Sequence, residues 1–368
     1  MGFTKWLLLA TCIGLGGCVS IAAHYIEIPG HHGPRPQVEH WLTTSTNYTL
    51  HDFYTTEGLR IAYWYSPPTR LDIQPTLTES RKGSRLRISF SIDVAKPKHD
   101  STPPPTRGSV VLLHPWGQNA LQMAFWGVYF SNAGYVTVLP ALRSQGESGD
   151  APVGYGPREA GDIVQLIRFL RQHGNLPPPL YLFGVSYGAT AALFAAPQLP
   201  HLRGVIALEP YVHPVDVIER APYSSLFEPP WWPHFLPEKW LSRLFGPRTM
   251  RRAIAKADKE LGIDLATIDP GDALAASHAC TLLIRGSDDE LTSGAAVNAL
   301  SKRSPRARYV AVAGANHVTL FFLGGRLFPP IEKWMQAVPA NHQAPCPASF
   351  ALVPTTSTVR RASTSRRK

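Results

Sequence analysis

The sequence has few cysteines and more basic than acidic residues. Its 368 residues include four cysteines, and 36 lysines and arginines against 26 acidic residues give a formal net charge of +10. No spacing of cysteine and histidine corresponds to a metal site, and no internal repeat is apparent. We therefore predict neither a metal nor a cofactor. Charged residues make up 17% and hydrophobic residues 44% of the chain, which indicates a globular protein with one large core.

An apolar run long enough to span a bilayer is missing from the N-terminus. Lys5 precedes a short apolar stretch at 6–15, and small residues then lead to Cys18. This pattern is typical of a signal peptide rather than a membrane-spanning helix. A cysteine directly after small residues resembles the bacterial lipobox, whose cysteine is lipidated. We predict a lipoprotein signal peptide over residues 1–17 and a membrane anchor on Cys18, with a plain cleaved signal peptide as the alternative.

The residue after Cys18 and the remaining cysteines are both relevant to the cellular compartment. Val19 follows the lipobox cysteine at a position where an aspartate is associated with inner-membrane retention. We therefore expect the cell envelope, on the outer-membrane or periplasmic side, where disulfides persist. Processing would remove Cys12 and use Cys18, which leaves Cys280 and Cys346. These two either pair, which would attach the C-terminal segment to a strand, or remain two free thiols.

The C-terminal segment contains no acidic residue from Ala337 onward. It is dominated by proline, serine, threonine and alanine, and it carries half of the formal net charge of +10 in five basic residues, Arg360, Arg361, Arg366, Arg367 and Lys368. This composition predicts a disordered basic tail over residues 339–368. The tail lacks the interleaved aromatic residues that bind single-stranded nucleic acid, so we predict no nucleic-acid partner.

Two kinds of segment precede the regular part of the chain. Residues 18–54 are predicted to be a tether and an N-terminal cover, because 19–36 is rich in proline and glycine and 38–54 is mixed in polarity, compatible with a short helix. The stretches 58–65 and 85–94 alternate apolar and polar residues. We predict that these two stretches form an antiparallel start to a sheet.

Patterns of buried strands and amphipathic helices alternate from residue 110 onward. The predicted strands cover 110–113, 135–139, 180–185, 202–208, 281–284 and 308–312, and the predicted helices cover 119–132, 158–173, 189–196, 294–303 and 330–338. This alternation indicates an α/β fold with a mainly parallel central sheet and helices on both faces. We assign this domain to residues 55–338.

Residues 211–275 interrupt the alternation and are predicted to form a cap inserted between two strands. The segment 226–237 is rich in proline and aromatic residues, and a basic helix is expected near 251–262. The aromatic side chains either line an apolar pocket or only pack the cap onto the core. They are Phe227, Trp231, Trp232 and Phe235.

The segment Gly184-Val185-Ser186-Tyr187-Gly188 joins a predicted strand to a helix of small residues. In this context the Gly-x-Ser-x-Gly pattern is typical of a nucleophile elbow. The turn strains the serine backbone, and both glycines are needed because the strand and the helix approach closely. Such a turn would lift the Ser186 hydroxyl above the sheet and point the Tyr187 N–H at a developing oxyanion.

Three further motifs follow predicted strands. His114-Pro115-Trp116-Gly117 comes after the third predicted strand, Gly286-Ser287-Asp288-Asp289 after the penultimate strand, and Gly314-Ala315-Asn316-His317 after the last. Together with the Ser186 elbow, these motifs have the order and the places found in the α/β-hydrolase fold family. The chain resembles that family over roughly residues 55–338, and the resemblance implies a serine hydrolase that needs no cofactor.

The resemblance implies a role for each matched residue. Ser186 would be the nucleophile, His317 the base that takes its proton, and Asp289 the acid that orients His317. The backbone N–H groups of Trp116 and Tyr187 would form the oxyanion hole.

The acid of the site has alternative candidates, and one position departs from the family pattern. Some members of the family take the acid from the loop after the preceding strand, so Glu209 and Asp216 are the second candidates. Pro115 replaces the usual glycine and has no N–H, so the oxyanion hole depends on the geometry of Trp116. The loop 143–149 resembles the family's loop under the active site, and we interpret it as structural.

The predicted function is hydrolysis of an ester with a small or medium acyl group by a serine carboxylesterase, through an acyl-enzyme. A serine peptidase of the prolyl-oligopeptidase type is one alternative, since Gly-x-Ser-Tyr-Gly also occurs there, although this chain is too short for the propeller domain of those enzymes. The other alternative is a non-catalytic envelope lipoprotein that uses the fold as a binding module. The predicted partners are an ester substrate and, through lipidated Cys18, a membrane.

Overall fold

The computed structural model describes most of the chain between Gly17 and Phe350. The described residues are 17–30, 40, 43–44, 46–82, 85–95, 102–224 and 244–350, with the backbone alone for 72–95. The predictions for residues 1–16, for the aromatic segment 226–237 and for residues 351–368 lie outside these ranges.

Ten strands and ten α-helices are formed by the described residues. The strands are β1 Thr49–Tyr54, β2 Arg60–Ser66, β3 Asp72–Lys82, β4 Arg85–Ala95, β5 Gly108–Leu113, β6 Tyr135–Pro140, β7 Leu180–Val185, β8 Leu202–Leu208, β9 Cys280–Gly286 and β10 Ala307–Val312. The helices are α1 Gly17–Glu27, α2 Ala124–Asn132, α3 Pro157–Gln172, α4 Tyr187–Ala195, α5 Pro214–Arg220, α6 Pro247–Leu261, α7 Gly271–Ala276, α8 Gly294–Ser301, α9 Thr319–Phe322 and α10 Gly324–Ala337.

The central sheet has eight strands in the order β1-β2-β6-β5-β7-β8-β9-β10. The pairs β1–β2 and β2–β6 are antiparallel, and every pair from β6 to β10 is parallel. Because the strands from β5 to β10 run in the same direction, their carboxyl ends meet at one edge of the sheet, where ligand sites form in such folds. The mainly parallel sheet predicted from the sequence is confirmed.

Helices cover both faces of this sheet. Alternate residues of β7 point to opposite sides, so that Leu182 lies in one apolar cluster with α3, α4 and α6, and Phe183 lies in the other with α2 and α10. All six residues of β7 are buried. A strand covered on both faces shows a continuous apolar run instead of alternation, which explains why Leu180–Val185 is recognisable in the sequence.

The predicted antiparallel start of the sheet is only partly correct. β2 pairs with β1 and β6, whereas β4 pairs with β3 in a separate two-stranded sheet. The segment 38–54, predicted as a cover with a short helix, has helical residues at His40, Thr43 and Thr44 and also contributes strand β1. Alternation of apolar and polar residues predicts a strand but does not specify which strand it pairs with. For this reason the pairing predicted for 85–94 was wrong.

The predicted tether contains helix α1, which packs against the domain. Ala22, Ala23 and Ile26 are buried on its inner side, and Tyr155 Oη donates a hydrogen bond of 2.7 Å to the Ile26 carbonyl. Cys18 lies in the first turn of α1 and is also buried. Small apolar residues three and four positions apart form this contact face, which the proline and glycine content of the surrounding segment obscured. None of the described helices is long and apolar enough to cross a bilayer.

Between β8 and β9 the described residues form the helices α5, α6 and α7. The basic helix expected near residue 251 is α6, and it begins earlier, at Pro247, because proline suits the first turn of a helix. Lys256 of α6 lies 3.9 Å from the Glu27 carboxylate of α1. The helical part of the predicted cap therefore packs together with the N-terminal helix.

Cys280 and Cys346 form a disulfide that joins β9 to the segment after α10. Cys346 is buried and Phe350 packs against the core, while an Arg306 guanidinium N–H donates to the Ala344 carbonyl at 3.1 Å. Residues 339–350 therefore belong with the domain. This corrects the prediction that a disordered tail begins at residue 339. Composition alone did not reveal that a disulfide holds this proline-rich segment.

We expect Cys346→Ala to lower the free energy of unfolding by about 4 kcal/mol, because the disulfide closes a loop with a sequence separation of 66. Denaturant titration of the variant and of the wild type measures the difference. The double variant Cys280→Ala/Cys346→Ala and reduced wild-type protein are the matched controls and should agree with the single variant. An unfolding midpoint that does not change on reduction would contradict the prediction.

Candidate active site

Ser186 lies in a sharp turn between β7 and α4. Its backbone has φ 50° and ψ −110°, which is a strained conformation for a residue with a side chain. The turn is held by two backbone hydrogen bonds, from Ser186 N to Leu208 O at 2.7 Å and from Thr190 N to Ser186 O at 3.1 Å. The predicted strand–turn–helix arrangement is thus present, with Ser186 9% exposed.

The two glycines of the elbow are required by close backbone contacts. A Cβ added at Gly184 would meet the carbonyl of Gly188, and one added at Gly188 would meet the carbonyl of Leu113 at the end of β5. A side chain at either position would force the helix away from the sheet. The loop that follows β5 therefore lies directly beside the elbow.

His317 follows β10 and lies between Ser186 and Asp289. Its Nε2 is 3.0 Å from Ser186 Oγ, and its Nδ1 is 2.9 Å from Asp289 Oδ2. Because a carboxylate only accepts hydrogen bonds, Nδ1 carries the proton, and the lone pair of Nε2 faces the serine hydroxyl. Asn316 shapes this loop, since its Oδ1 accepts hydrogen bonds from the N–H groups of Val318 and Thr319.

Asp289 is held by four hydrogen bonds in the loop after β9. Oδ1 accepts from the N–H groups of Leu291 at 2.7 Å and Thr292 at 3.1 Å, and Oδ2 accepts from the Thr292 hydroxyl and from His317. Its side chain is fully buried. Burial by itself raises the pKa of Asp289, but the hydrogen bond and charge of His317, together with the neighbouring Glu209 and Thr292, lower it below its ordinary value. Asp289 is therefore an ionised group that orients His317.

The other acidic candidates occupy different places. Asp288 is exposed and accepts a hydrogen bond from the Ser287 hydroxyl at 2.6 Å, and Asp216 lies in the first turn of α5. Among the described residues, the carboxylates of Asp289 and Glu209 are the ones grouped with His317, with ligand atoms within 4.8 Å of one another. Both nitrogens of His317 already take part in hydrogen bonds to Ser186 and Asp289.

Aromatic rings pack around the two predicted oxyanion donors, Trp116 in the loop after β5 and Tyr187 at the elbow. The Trp116 ring stacks on Tyr155 with centroids 5.0 Å apart and meets Tyr187 edge-on at 4.9 Å. Tyr187 is the first residue of α4, where a backbone N–H has no partner within the helix. The structure therefore brings Trp116 and Tyr187 together beside Ser186. Tyr155, which sequence reasoning missed, connects them to α1.

Two side chains fix the backbone on either side of Trp116. Gly117 N donates to Gln145 Oε1 at 2.8 Å, so the loop 143–149 supports the site as predicted. Leu142 N donates to His114 Nε2 at 3.0 Å, and the remaining nitrogen, Nδ1, is 2.9 Å from the Pro115 carbonyl. Since Nε2 is an acceptor, Nδ1 carries the proton and donates to that carbonyl. A neutral His114 thus holds Pro115 in place.

Thr292 is a second residue that the sequence analysis did not identify. Its hydroxyl and its N–H both donate to Asp289. The sequence contains a signal for this contact, because Thr292 lies three positions after Asp289. At this spacing an aspartate side-chain oxygen can accept a hydrogen bond from a backbone N–H that follows it.

Comparisons with known proteins identify the family of the chain. Residues 110–324, more than half of the chain, match the profile of the Alpha/beta hydrolase family. The chain therefore belongs to the alpha/beta hydrolase family, a class of hydrolases, and the resemblance inferred from the four motifs is confirmed. A search of curated protein sequences found no match.

Solved structures of low sequence identity share the fold. The esterase Pf2001 of Pyrococcus furiosus has a TM-score of 0.55 at 15% identity, with 84% of this chain and 95% of that chain covered. The hydrolase of E-2-(acetamidomethylene)succinate has a TM-score of 0.50 at 17% identity, with 79% and 100% covered. DcsB, solved with a substrate analogue, has a TM-score of 0.51 at 13% identity, with 79% and 100% covered. At these identities the similarity establishes the fold and leaves the substrate to be argued from the site.

His114 makes the stability of the protein depend on pH. Burial lowers the pKa of His114 from 6.5 to about 4, and the hydrogen bond to the Pro115 carbonyl opposes this only in part. Between these two pH values the unfolded chain binds the proton and the folded protein does not. Acidification across this range therefore favours unfolding.

We expect this group to remove about 3 kcal/mol from the free energy of unfolding between pH 7 and pH 4. Denaturant titrations at both pH values should show a smaller loss in His114→Gln than in the wild type. His173→Gln is the matched control, because His173 is exposed, and it should keep the wild-type pH dependence. An equal loss in wild type and His114→Gln would show that His114 does not stay neutral in the folded state.

Proposed function

We propose that this protein is a serine carboxylesterase that works through an acyl-enzyme on Ser186. One observation carries the proposal: the continuous hydrogen-bonded series from Ser186 Oγ through His317 to Asp289, with separations of 3.0 Å and 2.9 Å. A serine hydroxyl is a weak nucleophile unless a base takes its proton. The tautomer of His317 required for that transfer is the one that Asp289 selects.

The proposed reaction has two halves. His317 Nε2 takes the proton of Ser186 as Oγ attacks the ester carbonyl, and then gives this proton to the leaving alcohol, so that an acyl-enzyme remains. Water, activated by the same nitrogen, attacks the acyl group and releases the acid. The N–H groups of Trp116 and Tyr187 stabilise the oxyanion in both halves, and the ionised Asp289 stabilises the imidazolium that forms each time.

The surroundings of Ser186 favour an apolar substrate of modest size. The half-buried Trp116 ring lies next to the elbow and packs on the buried rings of Tyr155 and Tyr187, and small-molecule sites are typically apolar and aromatic with a few polar groups. An ester with a small or medium acyl group fits this chemistry. The Pyrococcus furiosus neighbour, described as an esterase, supports the same class.

The proposal is tested with a fluorophosphonate probe, which reacts with an activated serine whatever the natural substrate. We expect the wild type to be labelled and Ser186→Ala not to be labelled. His317→Ala should fold and react slower by about three orders of magnitude, because the base is lost. Ser301→Ala, a serine on α8 away from the triad, is the matched control and should be labelled like the wild type.

Hydrolysis of p-nitrophenyl esters of increasing acyl length, compared with p-nitroanilides, then separates the candidate activities. Ester hydrolysis that is fastest for short and medium acyl groups supports the carboxylesterase. Preferential cleavage of the anilides would favour the serine peptidase. A folded wild-type protein that neither reacts with the probe nor hydrolyses any ester would contradict the enzymatic proposal and favour a binding module.

We also propose that the mature protein is a lipoprotein of the cell envelope, anchored through Cys18. The pattern of residues 1–18 supports this proposal. Mass spectrometry of protein expressed with its own N-terminus in a bacterium should show loss of residues 1–17 and a diacylglycerol or acyl modification on Cys18. Cys18→Ala should abolish the modification and release the protein from membranes, whereas an unmodified Cys18 in the wild type would contradict the anchor.

A further inference from the structure

A second carboxyl group lies beside Asp289. Glu209 directly follows β8 and is fully buried, and its carboxyl group falls within the 4.8 Å group that includes Asp289 and His317. Its backbone is fixed, because its N–H donates to the Ile284 carbonyl at 2.7 Å and its φ is 51°. A glutamate at positive φ is uncommon and unfavourable. Such strain is found most often where a side chain is held for function.

The two oxygens of Glu209 have different surroundings. Oε1 accepts a hydrogen bond of 2.8 Å from Gly286 N, and a side chain at position 286 would crowd both Glu209 Oε1 and the Ala315 carbonyl. Oε2 is buried and has no hydrogen-bond partner among the described residues. An ionised carboxylate in this place would leave one charged oxygen unsatisfied next to the negative charge of Asp289, which is strongly unfavourable.

We infer that Glu209 is a positioning residue whose carboxyl group stays in the acid form and donates a hydrogen bond from Oε2 to the Asp289 carboxylate. In this arrangement Oε1 still accepts from Gly286, and Oε2 gains the partner that it lacks. One negative charge, on Asp289, is then shared by two carboxyl groups. The inference rests on the proposed function, because it assigns a role within the same site.

The electrostatics around the pair agree with this assignment. Burial raises the pKa of Glu209 well above its ordinary value, and the negative charge of Asp289 adds to the rise, whereas the Gly286 N–H and the charge of Arg285 oppose it. Against the effect of its own burial, the pKa of Asp289 is lowered by His317 and also by the neighbouring Glu209 and Thr292. Among the described residues, the charges of Asp289 and Arg285 act on Glu209, and His317 lies in the same group of side chains. Two neighbouring carboxyl groups whose protonation states differ in this way are typical of sites that handle protons.

The role of Glu209 is tested with two variants that differ in one property. Glu209→Gln keeps a donor for Asp289 and an acceptor for Gly286, so we expect kcat to stay within about threefold of the wild type. Glu209→Leu has no donor, so we expect kcat to fall by about tenfold or more with little change in KM. In the leucine variant the carboxylate of Asp289 loses the donor at Glu209 but keeps those of Leu291, Thr292 and His317. Its negative charge is then less stabilised, and it holds the His317 proton more tightly. The acidic limb of the kcat/KM profile should therefore move to higher pH.

Infrared difference spectroscopy provides a readout that does not need activity. The wild type at neutral pH should show the C=O stretch of a protonated carboxylic acid, with a shift in D₂O, and Glu209→Gln should lack this signal. Glu159→Gln is the matched control, because Glu159 is equally buried but both of its oxygens accept backbone N–H groups at 2.8 Å. That variant should keep the acid signal.

The outcomes separate this inference from the proposed function. Absence of the acid signal in the wild type overturns the inference, and so does a leucine variant that has the kcat and pH profile of the glutamine variant. If every protein is inert towards esters and the fluorophosphonate, the proposed function fails. The infrared signal then decides alone whether Glu209 donates to Asp289, including when Glu209→Leu does not fold.

Discussion

The tight turn at Ser186 is the constraint on which the rest of the site depends. A serine at positive φ, between glycines that touch neighbouring carbonyls, is tolerated only because β7 and α4 are packed on both sides. The surrounding core therefore offsets the local strain. The same packing brings the loop after β5 against the elbow, so that Trp116 and Tyr187 come together beside the hydroxyl.

A buried negative charge, that of Asp289, lies near this turn. Asp289 accepts four hydrogen bonds in its own loop and at His317, and such a set of donors stabilises a carboxylate without water. Glu209 lies next to it, and one of its oxygens has no hydrogen-bond partner in the part of the chain that the structure describes. A single charge shared between two carboxyl groups costs less to bury than two charges, and the proton on Glu209 is the simplest way to reach that state.

Helix α1 and the segment after α10 lie at the edges of the domain and are attached to it by specific contacts. Helix α1 is joined to the aromatic cluster by the Tyr155 hydroxyl and to α6 by the pair of Glu27 and Lys256. The disulfide holds the segment after α10 against β9.

The parallel sheet, the elbow at Ser186 and the loops that carry His317 and Asp289 could be predicted from the sequence alone, because apolar runs and short motifs at strand ends are local signals. The sequence did not determine the strand partner of 85–94, the packing of α1, the pairing of Cys280 with Cys346 or the place of Glu209. Each of these depends on contacts between residues far apart in the chain. Only the tertiary structure decides such contacts, because the burial of one segment is set by what packs against it.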